Sequence, residues 1–313
     1  MALEWAWLRG GERNPTNSSD LRLSPGMGTH VFLLHGLTGS PSELAYVARR
    51  LHTDGGLHVW CPRLANHGEP LNVLAATPWQ LLYEKARSDF LIARGAAERD
   101  GALLVVGGLS LGAVLSLLLA AEYPDDIGGV MCLAPTIFYD GWNVPWLHRL
   151  IPLIDYTPLK YFAFFREESP YGLKDESLRE RVDSAYRSVT LRKNIDCGQH
   201  GYAHFPIRLF CESRHLIARC ARTLRDVAAP LLLVQAVHDD ATGPRNSKHI
   251  YHNVSSKQKK MLMLEDSFHM VTVDLERDRV AEAMNRFCQG LSRAWNHRAA
   301  SRADPRLDNC CEP

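Results

Sequence analysis

From Thr29 onward, short apolar runs alternate with longer stretches in which apolar positions recur every three or four residues. The runs THVFLL (29–34), LHVW (57–60), ALLVVG (102–107), GGVMCL (128–133), PLLLVQAV (230–237) and KMLML (260–264) are rich in Val, Leu and Ile and do not alternate strictly with polar residues. That pattern predicts strands buried on both faces. Between them, 42–51, 79–98, 111–122, 246–252 and 276–289 read as helices. Strand and helix in turn predict an α/β fold, a mostly parallel sheet with crossover helices on both faces.

The rhythm breaks once, between the run ending at Leu133 and the one starting at Pro230. A connection of that length is too long for one crossover helix, and a structureless loop of that size does not suit a compact domain. A helical cap over 135–227 is therefore expected, inserted into a core made of 29–134 and 228–292. The insertion carries Pro145, Pro152, Pro158, Pro170 and Pro206, which favours several short helices. It also holds Trp142, Trp146, Tyr156, Tyr161, Phe162, Phe164 and Phe165, expected either to seal the cap onto the core or to line a pocket. Residues 1–28 read as an N-terminal extension, and 293–313 as a polar, aperiodic tail expected to be mobile.

Composition narrows the function classes. A hydrophobic share of 46% with 23% charged residues is that of an ordinary globular protein. Because 36 basic residues are balanced by 35 acidic ones, no strong field draws the surface to nucleic acid or to an anionic membrane. The eight cysteines lack paired C-x-x-C spacing, so they read as reduced thiols rather than a zinc or redox site. No apolar run approaches the ~20 residues of a membrane helix, and the first residues lack the basic and apolar segments of a signal peptide. A cytoplasmic location is the expectation, and the oligomeric state is left open.

Gly108-Leu109-Ser110-Leu111-Gly112 follows the run ALLVVG and opens a helical stretch. A nucleophilic serine needs a turn tight enough to project its side chain above the sheet, and flanking glycines remove the Cβ atoms that would collide there. Ser110 is therefore the candidate nucleophile. The N–H of Leu111, at the helix start, is a candidate oxyanion donor. A second donor is expected from the loop after an earlier strand, and FLLHGLTGSP (32–41) offers the N–H of Leu37. A serine hydroxyl also needs a histidine to take its proton and a carboxylate to orient that histidine, in the chain order Ser, acid, His. Of fourteen histidines, His269 alone lies just after the last strand and before the last helix. Asp239 and Asp240 follow PLLLVQAV; only one can face the histidine, and Asp239 is favoured.

LLHGLTGSP, the GLSLG turn, AVHDDATGP and SFHMVTVD together resemble the bacterial carboxylesterases and monoacylglycerol lipases of the α/β-hydrolase superfamily, over about 29–134 and 228–290. The resemblance implies the α/β-hydrolase fold, an acid at the Asp that follows His238, and oxyanion donors at Leu37 and Leu111. It implies hydrolysis of a medium- or long-chain acyl ester or lipid by an acyl-enzyme on Ser110, with no metal or organic cofactor. An acyl thioesterase or acyltransferase would use the same triad, and a non-enzymatic binding protein on this scaffold is the reading from a different class. The chain departs from the pattern of the family it resembles at Asn66-His67-Gly68, where Gly-His-Gly is common, and a longer insertion than in compact bacterial esterases is expected.

Overall fold

The six apolar runs become neighbouring strands of one sheet in the computed structural model, which describes residues 20–24, 28–144, 146–191, 202 and 204–303. They are β2 (Thr29–Leu34), β3 (His58–Cys61), β4 (Leu103–Leu109), β5 (Gly129–Leu133), β8 (Leu231–Ala236) and β9 (Lys259–Leu264). A seventh strand, β1 (Leu21–Leu23), pairs antiparallel with β3, whereas every other neighbouring pair in the order β1-β3-β2-β4-β5-β8-β9 is parallel. β1 lies inside the segment read as an extension. Three residues in polar surroundings carry no period from which a strand could be predicted.

Alternate residues of the central strands feed two cores. Phe32, Leu34, Leu104 and Val106 point to one face, and Val31, Leu33, Leu103 and Val105 to the other. The first face is covered by α3 (Trp79–Arg99) and α4 (Leu111–Glu122), with α2 (Leu71–Ala75) and α8 (Arg245–Asn253) also on the molecule, and the second by α1 (Ala45–Gly55) and α9 (Arg277–Ala303). Truncating a fully buried residue such as Phe32 to Ala would cost about 3–5 kcal/mol. α4 is apolar all round, and residues 111–120 are buried, because the insertion's α7 (Ile207–Thr223) covers the side that the sheet does not. The helix behind Ser110 is thus clamped on both sides.

Between β5 and β8 lie α5 (Ile151–Ile154), α6 (Glu176–Leu191) and α7, together with an antiparallel ribbon of β6 (Phe164–Arg166) and β7 (His204–Pro206). Two of these helices run 16 and 17 residues, longer than the short helices that the prolines favour, and the segment holds a two-stranded element as well. Its register sets Phe165 opposite Phe205, the aromatic pairing that favours extended chain. The aromatics divide, and Phe165 lines the cavity described below as one expectation had it. Phe165 packs on Phe210 with ring centroids 6.0 Å apart. Trp146, Tyr156 and Phe162 are 70%, 92% and 77% exposed, so they neither seal the insertion nor line a pocket.

α9 continues through Ala303, past the start of the segment read as an aperiodic tail; 304–313 and most of 1–28 lie outside the described residues. Cys61, Cys132, Cys211, Cys220 and Cys288 are free and buried, as the scattered spacing predicted, and the other three cysteines lie outside the described residues. Among the described residues no helix is long and apolar enough to cross a membrane.

Candidate active site

Ser110 sits between β4 and α4 at φ 57° and ψ −115°, a strained backbone for a residue with a Cβ. The glycines around it are there for close approach. A Cβ on Gly108 would lie 2.4 Å from the Gly112 carbonyl carbon, and one on Gly112 would lie 2.0 Å from the Leu34 oxygen. Backbone meets backbone at both positions, so neither clash can be relieved by a rotamer. The Ser110 N–H donates to Leu133 O at 2.9 Å, which fixes the turn to the end of β5. The hydroxyl projects to the C-terminal edge of the sheet, where ligands bind in open parallel sheets. There it shares a 2.8 Å hydrogen bond with the Thr136 hydroxyl. Thr136 is not among the sequence candidates; nothing in the loop sequence LAPTIF (133–138) marks a threonine that only the β4–β5 pairing brings to Ser110.

Asp239 and His269 extend from the ends of β8 and β9. His269 Nδ1 lies 3.1 Å from both carboxylate oxygens of Asp239. The carboxylate is buried and held on its other sides. Oδ1 accepts the N–H groups of Ala241 and Thr242 at 2.9 and 2.7 Å, and Oδ2 accepts Gln235 Nε2 at 2.9 Å. Burial lowers the affinity of His269 for a proton, but the Asp239 charge and hydrogen bond outweigh it and bring the pKa to about 9.

Asp240 faces elsewhere. Its Oδ1 accepts the backbone N–H of His269 at 3.2 Å, and its Oδ2 accepts that of Gly172, in the insertion, at 3.1 Å. Burial raises its pKa; the charge of His269 opposes the rise and that of Asp239 adds to it. The structure therefore gives the imidazole ring to Asp239 and the backbone behind it to Asp240.

Leu37 follows β2. The Gly36 carbonyl accepts His35 Nδ1 at 2.9 Å and the Gly39 N–H at 3.2 Å, so the N–H of the same planar peptide, that of Leu37, is turned the other way. His35 Nε2 in turn accepts the Leu64 N–H at 3.0 Å, and burial first, then the neighbouring His67, hold its pKa well below the ordinary value. The 66–68 loop packs here, with the His67 ring 4.8 Å from that of His35. Asn66 takes φ 58°, a left-handed conformation that Asn tolerates better than other side-chain-bearing residues, which is how it can stand where glycine is common. On α4 the intrahelical bonds begin with the Ala113 and Val114 N–H groups on Ser110 O, so the Leu111 N–H precedes them.

Leu37, Ser110 and His269 line one cavity of about 410 Å³, with no direct hydrogen bond between Ser110 and His269. Such contacts are often loose without substrate. Much of the remaining wall is apolar and comes from the insertion, including Ile151, Phe165, Leu173, Leu178, Val182 and Phe210. A more open groove of about 750 Å³ beside Trp142, Lys174 and Phe268 holds neither Ser110 nor His269.

The chain is similar to several proteins of known kind. A thermostable monoacylglycerol lipase from Bacillus sp. (strain H-257) is 23% identical over 80% of this chain and 87% of its own length. A carboxylesterase from Bacillus subtilis (strain 168) is 23% identical over 83% of this chain and 92% of its own. A soluble variant of monoglyceride lipase from Saccharomyces cerevisiae, solved with a substrate analogue, superposes with a TM-score of 0.71 at 13% identity, covering 89% of this chain and 94% of that one. The α/β-hydrolase fold is thereby shown. Residues 27–276 match the family Hydrolase_4, described as serine aminopeptidase, S33. The chain belongs to that family and is an esterase- or lipase-like serine hydrolase.

Proposed function

We propose that the protein hydrolyses carboxylic esters with a medium or long acyl chain, monoacylglycerol-like in kind, through an acyl-enzyme on Ser110. The observation that carries this reading is the 410 Å³ cavity, in which Ser110 and His269 share a wall and apolar side chains of the insertion supply much of the rest. Its size falls in the range of roughly 300–1,000 Å³ usual for small-molecule sites. The insertion would act as a cap that receives the acyl chain.

In this reading Ser110 Oγ attacks the ester carbonyl carbon as its proton passes to His269 Nε2. Asp239 holds Nδ1, fixes the tautomer and stabilises the imidazolium. The developing oxyanion accepts the N–H groups of Leu37 and Leu111, so the charge meets donors already in place. Collapse breaks the ester C–O bond, and the leaving alcohol takes the proton from His269. Water then attacks the acyl-enzyme by the same steps in reverse, releasing the acid and restoring the Ser110 hydroxyl.

The test is Ser110→Ala against p-nitrophenyl esters of increasing chain length, with labelling by a fluorophosphonate in parallel. Turnover and labelling should both vanish in the variant, and the wild type should prefer chains longer than acetyl. Turnover retained by Ser110→Ala would overturn the nucleophile; faster cleavage of matched thioesters than of esters would overturn the substrate class.

A further inference from the structure

One carboxylate in the cavity has no part in the steps above. Glu43 belongs to the short 3-10 turn Pro41–Leu44, directly after the loop that carries Leu37, and it lines the cavity with Ser110 and His269. Its Oε2 accepts the Gly36 N–H at 3.1 Å. Its backbone carbonyl accepts Thr272 Oγ1 at 2.7 Å, three residues beyond His269. An ideal Cβ on Gly36 would lie 3.4 Å from Glu43 Oε2 and 3.5 Å from Ser110 Cβ, so a single glycine separates the carboxylate from the nucleophile. An ideal Cβ on Gly39 would lie 2.0 Å from Oε1, so the Glu43 carboxyl group occupies the space that the missing side chain leaves.

These contacts bear on the two peptide units that meet at Gly36. Gly36 and Gly39 bracket a turn in which Thr38 already takes φ 63°, and glycine backbone is free to move unless its polar groups are held. The Gly36 carbonyl is held by His35 Nδ1 and the Gly39 N–H. The Gly36 N–H is held by Glu43. We propose that Glu43 is a positioning residue for ester hydrolysis: by holding the Gly36 N–H it fixes the His35–Gly36 peptide, and with the Gly36 carbonyl held on the other side the glycine between them cannot swing, which aims the Leu37 N–H at the oxyanion. The inference rests on the reading of Ser110 and Leu37 given above.

The carboxylate also acts on the charges around it. Burial raises the Glu43 pKa to about 7; the Gly36 N–H opposes the rise, Glu167 adds to it and His269 opposes it. In its charged form Glu43 favours the imidazolium of His269, as Asp239 and Asp240 do more strongly. A neutral amide that keeps the acceptor should preserve the aim of Leu37 and ease proton loss from His269.

The experiment compares Glu43→Ala, Glu43→Gln, Gly39→Ala, the double variant Gly39→Ala/Glu43→Ala and Ser110→Ala on a p-nitrophenyl ester, with circular dichroism melts as the folding control. Glu43→Ala should lower kcat about 30-fold with KM within about two-fold, the size expected when an oxyanion donor is misaimed rather than lost. Glu43→Gln should recover kcat to within about three-fold of wild type and move the acid limb of kcat/KM to lower pH, a change that a purely structural brace would not produce. Gly39→Ala should reproduce the loss, because its Cβ evicts the carboxyl group, and the double variant should be no worse than Glu43→Ala. Wild-type kcat in Glu43→Ala or Gly39→Ala would overturn the proposal, and so would a rise in KM at unchanged kcat. If Glu43→Ala does not fold, Gly39→Ala and Glu43→Gln decide it by the same criteria. Turnover retained by Ser110→Ala would instead sink the reading on which it rests, whereas an inactive Ser110→Ala beside a fully active Glu43→Ala refutes this inference alone.

Discussion

The Asp240 carboxylate accepts the backbone N–H of His269 at 3.2 Å, while its neighbour Asp239 takes the ring of the same histidine at 3.1 Å. Two adjacent residues of one type therefore have different duties, and substitution should separate them. Asp239→Asn leaves a neutral group where the imidazolium needs a charge, and kcat should fall about 10³- to 10⁴-fold. Asp240→Asn keeps one acceptor for two N–H groups and sets its own N–H against the other. It should cost about 1–3 kcal/mol of stability and about ten-fold in kcat. Steady-state kinetics with urea unfolding measures both, and equal losses of kcat would reverse the assignment.

The pH dependence has a definite sign. The His269 pKa in the folded protein, about 9, stands above its ordinary value of 6.5 because the Asp239 attraction outweighs burial. The protonated form is thus favoured by folding. Its contribution to stability is fully present below pH 6.5 and is lost as pH rises through about 9. Activity runs the opposite way, since only the neutral imidazole accepts the Ser110 proton: kcat/KM should climb with pH across the same interval. In Asp239→Asn burial acts unopposed by that charge, and the midpoint should move to lower pH. A kcat/KM profile from pH 5 to 10 tests both statements.

Gly112→Ala probes the elbow. Its Cβ would meet the Leu34 carbonyl oxygen at 2.0 Å and the Leu34 carbon at 2.5 Å, so β2 and α4 must separate to admit it. A loss of about 3 kcal/mol in urea unfolding is expected, with kcat reduced because the Leu111 N–H and Ser110 move together. Unchanged stability would mean that the elbow has room for a methyl group at this position.

How much of this was legible in the sequence follows from how local each feature is. β2 coincides with THVFLL, and α4 with 111–122, because an unbroken apolar run and a helix-opening glycine turn announce themselves within a few residues. Asp239 and His269, whose side chains meet in the structure, are marked in the sequence by their places after strands, which chain order supplies. Asp240's hold on the His269 backbone and the Thr136 hydroxyl beside Ser110 join residues 29 and 26 positions apart, and no window of sequence contains both partners. The ribbon of β6 and β7 escaped for the same reason: its strands are three residues each and lie far apart in the chain.

Thr136 then becomes testable in its own right. Its hydroxyl is the hydrogen-bond partner of Ser110 Oγ in this structure, at 2.8 Å, and can donate to that oxygen as negative charge develops on it. Thr136→Val keeps the shape and removes the donor, so kcat should fall about five-fold, the worth of one hydrogen bond of about 1 kcal/mol. Thr136→Ser should stay within about two-fold of wild type. Equal losses in the two variants would show that the methyl group, and not the hydroxyl, is what matters.

If the insertion receives the acyl chain, as proposed, α6 is where to test it, because it places Leu178, Val182 and Ala185 on the cavity wall. Val182 is partly buried, so a larger side chain there can grow into the cavity rather than into a filled core. Val182→Trp should shorten the space for an acyl chain without touching Ser110, Asp239 or His269. With p-nitrophenyl esters, kcat/KM for the longest chains should fall at least ten-fold relative to butyrate, about the worth of one or two methylenes shut out of an apolar pocket. Labelling by a small fluorophosphonate should keep its wild-type rate, since the nucleophile and its base are unaltered. An unchanged chain-length profile in a folded, fully labelled Val182→Trp would place the acyl chain elsewhere in the cavity, away from α6.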